Sequence, residues 1–358
     1  MLTKNKNNTK KLVFRSDGAL LPEIGTGHIV RDVTIADYFV SKKILKKTEI
    51  VFVSRTDGPF RIGYDLIQES GYQLEAVDDD QLEWNSPQES KVLKDIDPNL
   101  LVIDRLSTDL IWMTDLKSSL RHVISMDDTG DGAFVADAFI NAILHDFPEN
   151  EAGYIGYDYL VLKSNSADIK TEVPMEVNRI VASFGGHDSR NLMGFFLNNF
   201  NRDDIWLAKG TVIELLVGSE SKKIIKSWAA QVKKISIRYD VTISLLIRPP
   251  DFLDRLVKAD LAVLSGGLTI FEAVSLGVPS IGLPQYQHQL DTLKALTAKK
   301  AIRLGSQEMR LDQKSFTRIF AEMMQSKDKR QLLKKNGPRL IDAKGTERVI
   351  TVLSNFIH

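Results

Sequence analysis

Short apolar runs of strand length alternate with stretches of helical period along almost the whole chain, and that rhythm leaves few folds open. The first series reads KLVFRS from Lys11, EIVFVS from Glu49, LLVID from Leu100 and HVISMDD from His122. Strands separated by helices cannot close as tight hairpins, so they must lie parallel. Their nearly continuous apolar character means burial on both sheet faces. The rhythm fails at KSNSADIKTEVPMEVN, Lys163 to Asn178, which is polar and holds Pro174. It resumes with RIVASF from Arg179, TVIELLVG from Thr211, VTISLLI from Val241, LAVLS from Leu261 and PSIGLP from Pro279. The expected organisation is α/β, with two Rossmann-like domains at 11–165 and 179–338 joined by a linker at 166–178. Residues 1–10 form a disordered basic tail, and 339–358 a C-terminal helix able to pack across to the first domain. At 358 residues, 43% hydrophobic and 26% charged, the chain can build two cores.

Charge and cysteine usage narrow the class of function. Lys+Arg and Asp+Glu number 47 each, so no net field draws nucleic acid or an anionic membrane. Any anion must be held locally. With no cysteine there are no disulfides or thiolate metal sites, which fits a reducing cytoplasm. The start, MLTKNKNNTKK, has no apolar leader, and runs such as Leu100 to Ile103 are too short to span a bilayer. A cytoplasmic monomer is expected.

FRSDGALLPEIGTGHIVRDVTIA, from Phe14 to Ala36, joins a strand end to a glycine-bounded turn and then a helix marked by Ile29, Val33, Ala36, Val40 and Ile44. Gly25, Thr26 and Gly27 sit where backbone can approach a ligand, and the amides of the new helix attract an anion. His28 stands beside that anion, as a general base or as a packed helix-start residue. Asp17 is expected to orient His28 or bind a hydroxyl. Arg15 and Arg31 either hold phosphate or pair at the domain rim.

The second half offers two glycine pairs at strand ends. Gly185 and Gly186 follow the first strand and outline a phosphate turn that also suits an ordinary tight turn. Ser265, Gly266 and Gly267 repeat the pattern, with Thr269 adding a hydroxyl and Glu272 placed to accept two sugar hydroxyls, or simply as favourable charge near a helix start. Gln287, His288 and Gln289 fall on the next loop of the same sheet edge, where open parallel sheets bind ligands. Asp127, Asp128 and Asp131 lack a calcium-loop pattern, and His122, His145 and His187 lack zinc spacing. Neither a metal nor a cofactor is expected.

The glycine-turn segment resembles the N-terminal signature of the nucleotide-sugar hydrolases of pseudaminic acid biosynthesis, which remove UDP from a diacetamido-trideoxy-altropyranose. The resemblance extends through Asp104 in LLVIDR, the acidic pair in SMDD, YIGYDYLVLK, ASFGGHDSRNLM and SGGLTIFEAVSLGVPS. Spore-coat polysaccharide proteins share this pattern. It implies the GT-B fold, two Rossmann-like domains with parallel sheets facing a central cleft, and a C-terminal half like that of the enzyme forming the lipid-linked peptidoglycan disaccharide. Carried across, His28 is the catalytic base, Glu272 holds ribose, and the glycines fit the diphosphate. Arg105 and Leu106 replace a common histidine and tyrosine, Lys163 replaces arginine, and His288 replaces asparagine. Those departures bear on the choice of sugar more than on the reaction.

The expected chemistry is attack by a His28-activated water on the anomeric carbon, releasing UDP with inversion. An unperturbed imidazole, with a pKa of about 6.5, suits base work near neutrality. Because a diphosphate leaves as a stable anion, no second carboxyl is needed as acid. Two rivals stand beside this: a glycosyltransferase using a UDP-sugar donor, and a nucleotide-sugar-binding protein without turnover.

Overall fold

The computed structural model describes residues 11–19, 21, 24–77, 84–143, 153–163, 172–201, 207–218 and 220–357. The expected basic tail at 1–10, His145, and residues 166–171 of the expected linker lie outside these. The chain divides into two compact units, Met1–Leu162 with Lys344–His358, and Lys163–Ala343.

The first unit is built on seven strands, β1 (Leu12–Ser16), β2 (Ile50–Ser54), β3 (Gln73–Ala76), β4 (Leu100–Asp104), β5 (Val123–Met126), β6 (Ala138–Asn141) and β7 (Gly153–Ile155). Their order is β3-β2-β1-β4-β5-β6-β7 and every pair is parallel. Alternate side chains feed opposite faces, as the two-residue strand period requires. Leu12, Phe14, Phe52, Leu100 and Val102 pack with Ile29, Ile35 and Phe39 of helix α1 (Gly27–Ser41). Val13, Val51, Val53, Leu101 and Ile103 join a second core with Leu93, Trp112, Met113 and Leu116. These come from α3 (Pro87–Ile96) and α4 (Leu110–Lys117), which follow α2 (Arg61–Ser70).

The second unit repeats the plan with β8 (Arg179–Ser183), β9 (Val212–Val217), β10 (Thr242–Ile247), β11 (Leu261–Ser265), β12 (Ser280–Leu283) and β13 (Arg303–Leu304). The order is β10-β9-β8-β11-β12-β13, again all parallel. Its core gathers Ile180, Ala182, Ile213, Leu215, Leu261 and Val263 with Phe196, Phe200, Trp228, Phe316 and Phe320. The helices are α5 (Leu192–Asn198), α6 (Lys222–Tyr239), α7 (Phe252–Val257), α8 (Leu268–Ser275), α9 (Gln287–Ala298), α10 (Gln313–Gln325) and α11 (Lys327–Leu340). Both sheets therefore reverse direction beside their first strand, at β1/β4 and β8/β11. In such sheets ligands bind at the carboxyl ends of the strands at that reversal.

Two details correct the sequence reading. The described part of the expected linker is packed into the second unit: Val173 and Val177 are buried, and Arg330 donates to the carbonyls of Pro174 and Met175 at 2.7 and 2.8 Å. The stretch 339–358 is not one helix. Pro338 lies near the end of α11, Ala343 takes a left-handed φ of 59°, and a separate α12 (Gly345–Ser354) begins. Val349 and Leu353 of α12 are buried in the first unit's core, and Thr346 Oγ1 donates to the Leu162 carbonyl at 2.9 Å. Among the described residues no helix is long and apolar enough to cross a membrane.

Candidate active site

In the first unit, β1 ends at Ser16 and α1 begins at Gly27. The intervening loop is closed by a hydrogen bond from Ala19 N–H to the Gly25 carbonyl at 2.7 Å. Gly25 has φ +62°, a conformation costly for any residue with a side chain, so the turn needs glycine there. Thr26 is the residue preceding the helix, and its side chain makes no capping bond. The first amides of an α-helix have no intrahelical partner, so α1 presents unfilled donors and its positive dipole end beside His28.

His28 Nδ1 lies 2.6 Å from Asp104 Oδ1, and the imidazole is only 12% exposed. An ionised carboxylate only accepts, so in the neutral ring the proton sits on Nδ1 and Nε2 keeps the lone pair. Asp104 is placed by topology: Ser16 and Asp104 are register partners at the ends of β1 and β4. Arg31, one turn after His28 on α1, grips the same carboxylate, with Nε 2.7 Å from Oδ2 and Nη2 on Oδ1. Its Nη1 donates to Asp127. Burial alone pushes the Asp104 carboxyl up, but Arg31 and then His28 overcome it and hold Asp104 well below the usual carboxylate range.

One expected role is corrected here, and two are narrowed to their ion-pairing alternative. Asp17 does not orient His28: it accepts from Arg15 Nη1 at 2.7 Å, the Arg55 amide at 2.8 Å and Trp84 Nε1 at 3.1 Å. Burial would raise its pKa, yet Arg15 keeps it low. Arg15 is 1% exposed and also donates to Glu89 at 2.6 Å, so it is an internal ion-pair partner with no free face for phosphate. Arg31 is likewise buried between Asp104 and Asp127, and its service is to the His28 partner. Arg105, one of the positions that departs from the resembled pattern, joins the same network through Glu89 at 2.6 Å. Asp128 accepts from Thr108 N–H and Gly130 N–H, both at 2.8 Å. Among the described residues no group of three His, Asp or Glu is arranged to hold a metal.

In the second unit the two glycine pairs separate in character. Gly185 has φ +81°, but no helix follows it directly. The chain runs through Gly186 to Asp188, whose carboxylate accepts from the Leu192 and Met193 amides at 2.7 Å each. The start of α5 thus carries its own anion, which corrects the expectation of a phosphate turn there. At the other pair, Ser265 ends β11, Gly266 is pressed against Gln289, and Gly267 begins α8 with open space where a side chain would stand. No side chain caps α8 and no acidic residue lies in its first turn, so its first amides are uncapped, beside half-buried Thr269.

Glu272 sits in the second turn of α8, where burial pushes its pKa up to about 7 against the opposing charge of Lys163. His288 and Gln289 fall in the first turn of α9, also without a side-chain cap. The His288 ring stacks on Tyr286 at 5.6 Å, and Gln289 Oε1 accepts from the Gln285 amide at 3.0 Å. Gln285, which the sequence reading passed over, donates to the Phe184 carbonyl at 2.6 Å and accepts from the Ser189 amide at 3.0 Å. It ties the loops after β8 and β12 together. A glutamine directly after a strand-ending proline was the available signal.

Comparison with known proteins agrees with this architecture. No family model matches the chain. It is 25% identical over 269 residues to the spore coat polysaccharide biosynthesis protein SpsG of Bacillus subtilis, covering 72% of this chain and 77% of that protein. It is also 25% identical over 298 residues to an uncharacterized protein of Methanocaldococcus jannaschii, covering 78% of this chain and 56% of the other, little more than half its length. Among solved structures, MurG of Acinetobacter baumannii superposes with a TM-score of 0.70 at 12% identity, over 97% of this chain and 99% of that one. MnaA of S. aureus, solved with UDP, gives 0.59 at 12% identity, over 97% of each chain. The fold is GT-B-like. At these identities the structural likeness shows the fold alone.

Proposed function

We propose that this chain is a nucleotide-sugar hydrolase that releases UDP from a UDP-linked diacetamido-trideoxy sugar, in pseudaminic acid or related surface-glycan biosynthesis. The observation that carries the reading is the His28–Asp104 pair at the start of α1, which leaves Nε2 as the basic nitrogen. In this mechanism Nε2 takes a proton from water as its oxygen attacks the anomeric carbon. The bond from that carbon to the diphosphate oxygen breaks with inversion, and UDP leaves with the electron pair. In the second unit, the amides at the start of α8 meet the phosphate charge and Glu272 accepts the ribose hydroxyls. Gly185 and Gly186 serve the geometry of their loop rather than the phosphate. Support comes from the residue-by-residue resemblance, from the relative named for spore-coat polysaccharide biosynthesis, and from the fold shared with a UDP-bound structure. The reading carries with it a cytoplasmic, monomeric enzyme.

A carboxylate-oriented imidazole deprotonates an acceptor hydroxyl as readily as water, so a GT-B glycosyltransferase is the second reading. Incubation with the UDP-sugar and no acceptor separates them. Stoichiometric release of free sugar, with labelled water oxygen on the sugar, is the expected result. Release only when an acceptor is added would give the transferase. The His28→Ala variant is expected to lose UDP release while keeping UDP affinity, and retained turnover would remove His28 from the mechanism.

A further inference from the structure

Behind the His28–Asp104 pair lies a second carboxyl that the mechanism does not use. Asp32 is on α1, four residues after His28 and therefore on the same helix face, and it is 0% exposed. Neither of its oxygens receives a hydrogen bond of ordinary geometry, and the nearby Ser16 hydroxyl, at the end of β1, makes none of that quality either. A bare carboxylate, which can only accept, is strongly disfavoured in such a place. A carboxylic acid has a proton to donate, and Asp104 is the acceptor beside it.

We infer that Asp32 is a protonated acid that donates to the Asp104 carboxylate, making it a positioning residue that sets how strongly Asp104 holds the His28 ring. The charged and titratable groups around it support one proton on the pair. Asp104 is held ionised by Arg31, Arg31 is shared with Asp127, and His28 approaches Asp104 from the helix start. Two buried carboxyls close enough to feel each other's charge do not both ionise. Burial first, and then the charge of Asp104, push the Asp32 pKa well above the ordinary carboxylate value, with Ser16 and Arg31 opposing. With Asp32 neutral, Arg31, Asp104 and Asp127 carry a net charge of minus one, which matches the single imidazolium formed when His28 takes a proton.

The inference rests on the reading of His28 as the base, but its test does not need turnover. Infrared difference spectra of the native protein against Asp32→Asn at neutral pH are expected to show loss of one carboxylic-acid carbonyl band. NMR titration of the His28 ring, assigned with His28→Gln, supplies the sign. Asp32→Asn keeps a neutral donor to Asp104 and is expected to leave the His28 midpoint in place. Asp32→Leu removes the donor, concentrates charge on Asp104, and is expected to move the midpoint up by about half a unit. A downward shift in both variants would mean that Asp32 is an anion and overturn the inference. So would an unchanged acid band or an unmoved midpoint in Asp32→Leu. Should Asp32→Leu not fold, the band and the Asn titration still decide. If His28→Ala retains turnover while the titrations behave as stated, the function reading falls and the coupling of Asp32 to the ring stands.

Discussion

His28 Nδ1 and Asp104 Oδ1 lie 2.6 Å apart, although 76 positions separate the two residues in the chain. The contact exists because β4 is hydrogen-bonded directly beside β1, with Ser16 opposite Asp104. It fixes which imidazole nitrogen carries the proton, and a loss of that orientation has a measurable cost.

Asp104→Asn is expected to lower kcat/KM for UDP release by about 10³-fold, since an amide does not enforce the same tautomer. Asp17→Asn, which touches Arg15, Arg55 and Trp84, is expected to lose less than about tenfold once corrected for folded fraction. Equal losses in steady-state assays of the two variants would return Asp17 to the mechanism.

Gly266 and Gly267 should respond differently to alanine. A methyl at Gly266 would stand 2.8 Å from Gln289 Cβ and 2.9 Å from its carbonyl oxygen, an overpacking worth about 1–3 kcal/mol of stability. At Gly267 it would meet nothing within 4 Å. Gly267→Ala is therefore expected to keep its melting temperature within a few degrees while UDP affinity, read by titration calorimetry, falls about tenfold. Unchanged affinity would take the start of α8 out of the binding site.

Glu272 provides a pH dependence with a definite sign. Its pKa, pushed up to about 7 by burial, means the carboxylate forms as pH rises through neutrality. If Glu272 accepts ribose hydroxyls as proposed, it binds better ionised, so UDP affinity should increase between about pH 6 and about pH 8. The UDP terminal phosphate, with a second pKa of about 6, titrates nearby. The quantity to measure is therefore the affinity ratio of native protein to Glu272→Gln, expected to rise over that range. A flat ratio would count against ribose contact.

Arg330 concerns stability alone. Fully buried, it donates to the carbonyls of Met323 and Met324 at 2.7 and 2.9 Å, and to those of Pro174 and Met175. Arg330→Met would leave four acceptors without their donor and is expected to cost about 3–5 kcal/mol in denaturant unfolding. A change below about 1 kcal/mol would show that the segment at 172–178 is held by its apolar contacts instead.

The parallel sheets, the glycine turn before His28 and the open start of α8 were legible in the sequence because each is a local pattern. Strand-length apolar runs, helical period and a glycine at a left-handed turn need no distant partner to be read. Gly185 and Gly186 misled although the carboxylate that fills the helix start, Asp188, stands only four positions before Leu192, because several polar residues there could take that place and spacing does not choose among them. What only the folded chain decided is the pairing of charges: Asp17 and Asp104 both follow apolar strands, and nothing local distinguishes them. The strand order sets Asp104 beside β1, where Arg31 reaches it from α1, and brings Glu89 to Arg15 and the Arg55 amide to Asp17. Buried charges must be neutralised by whichever opposite charge the fold brings within reach, and that distance is a property of topology, not of spacing along the chain.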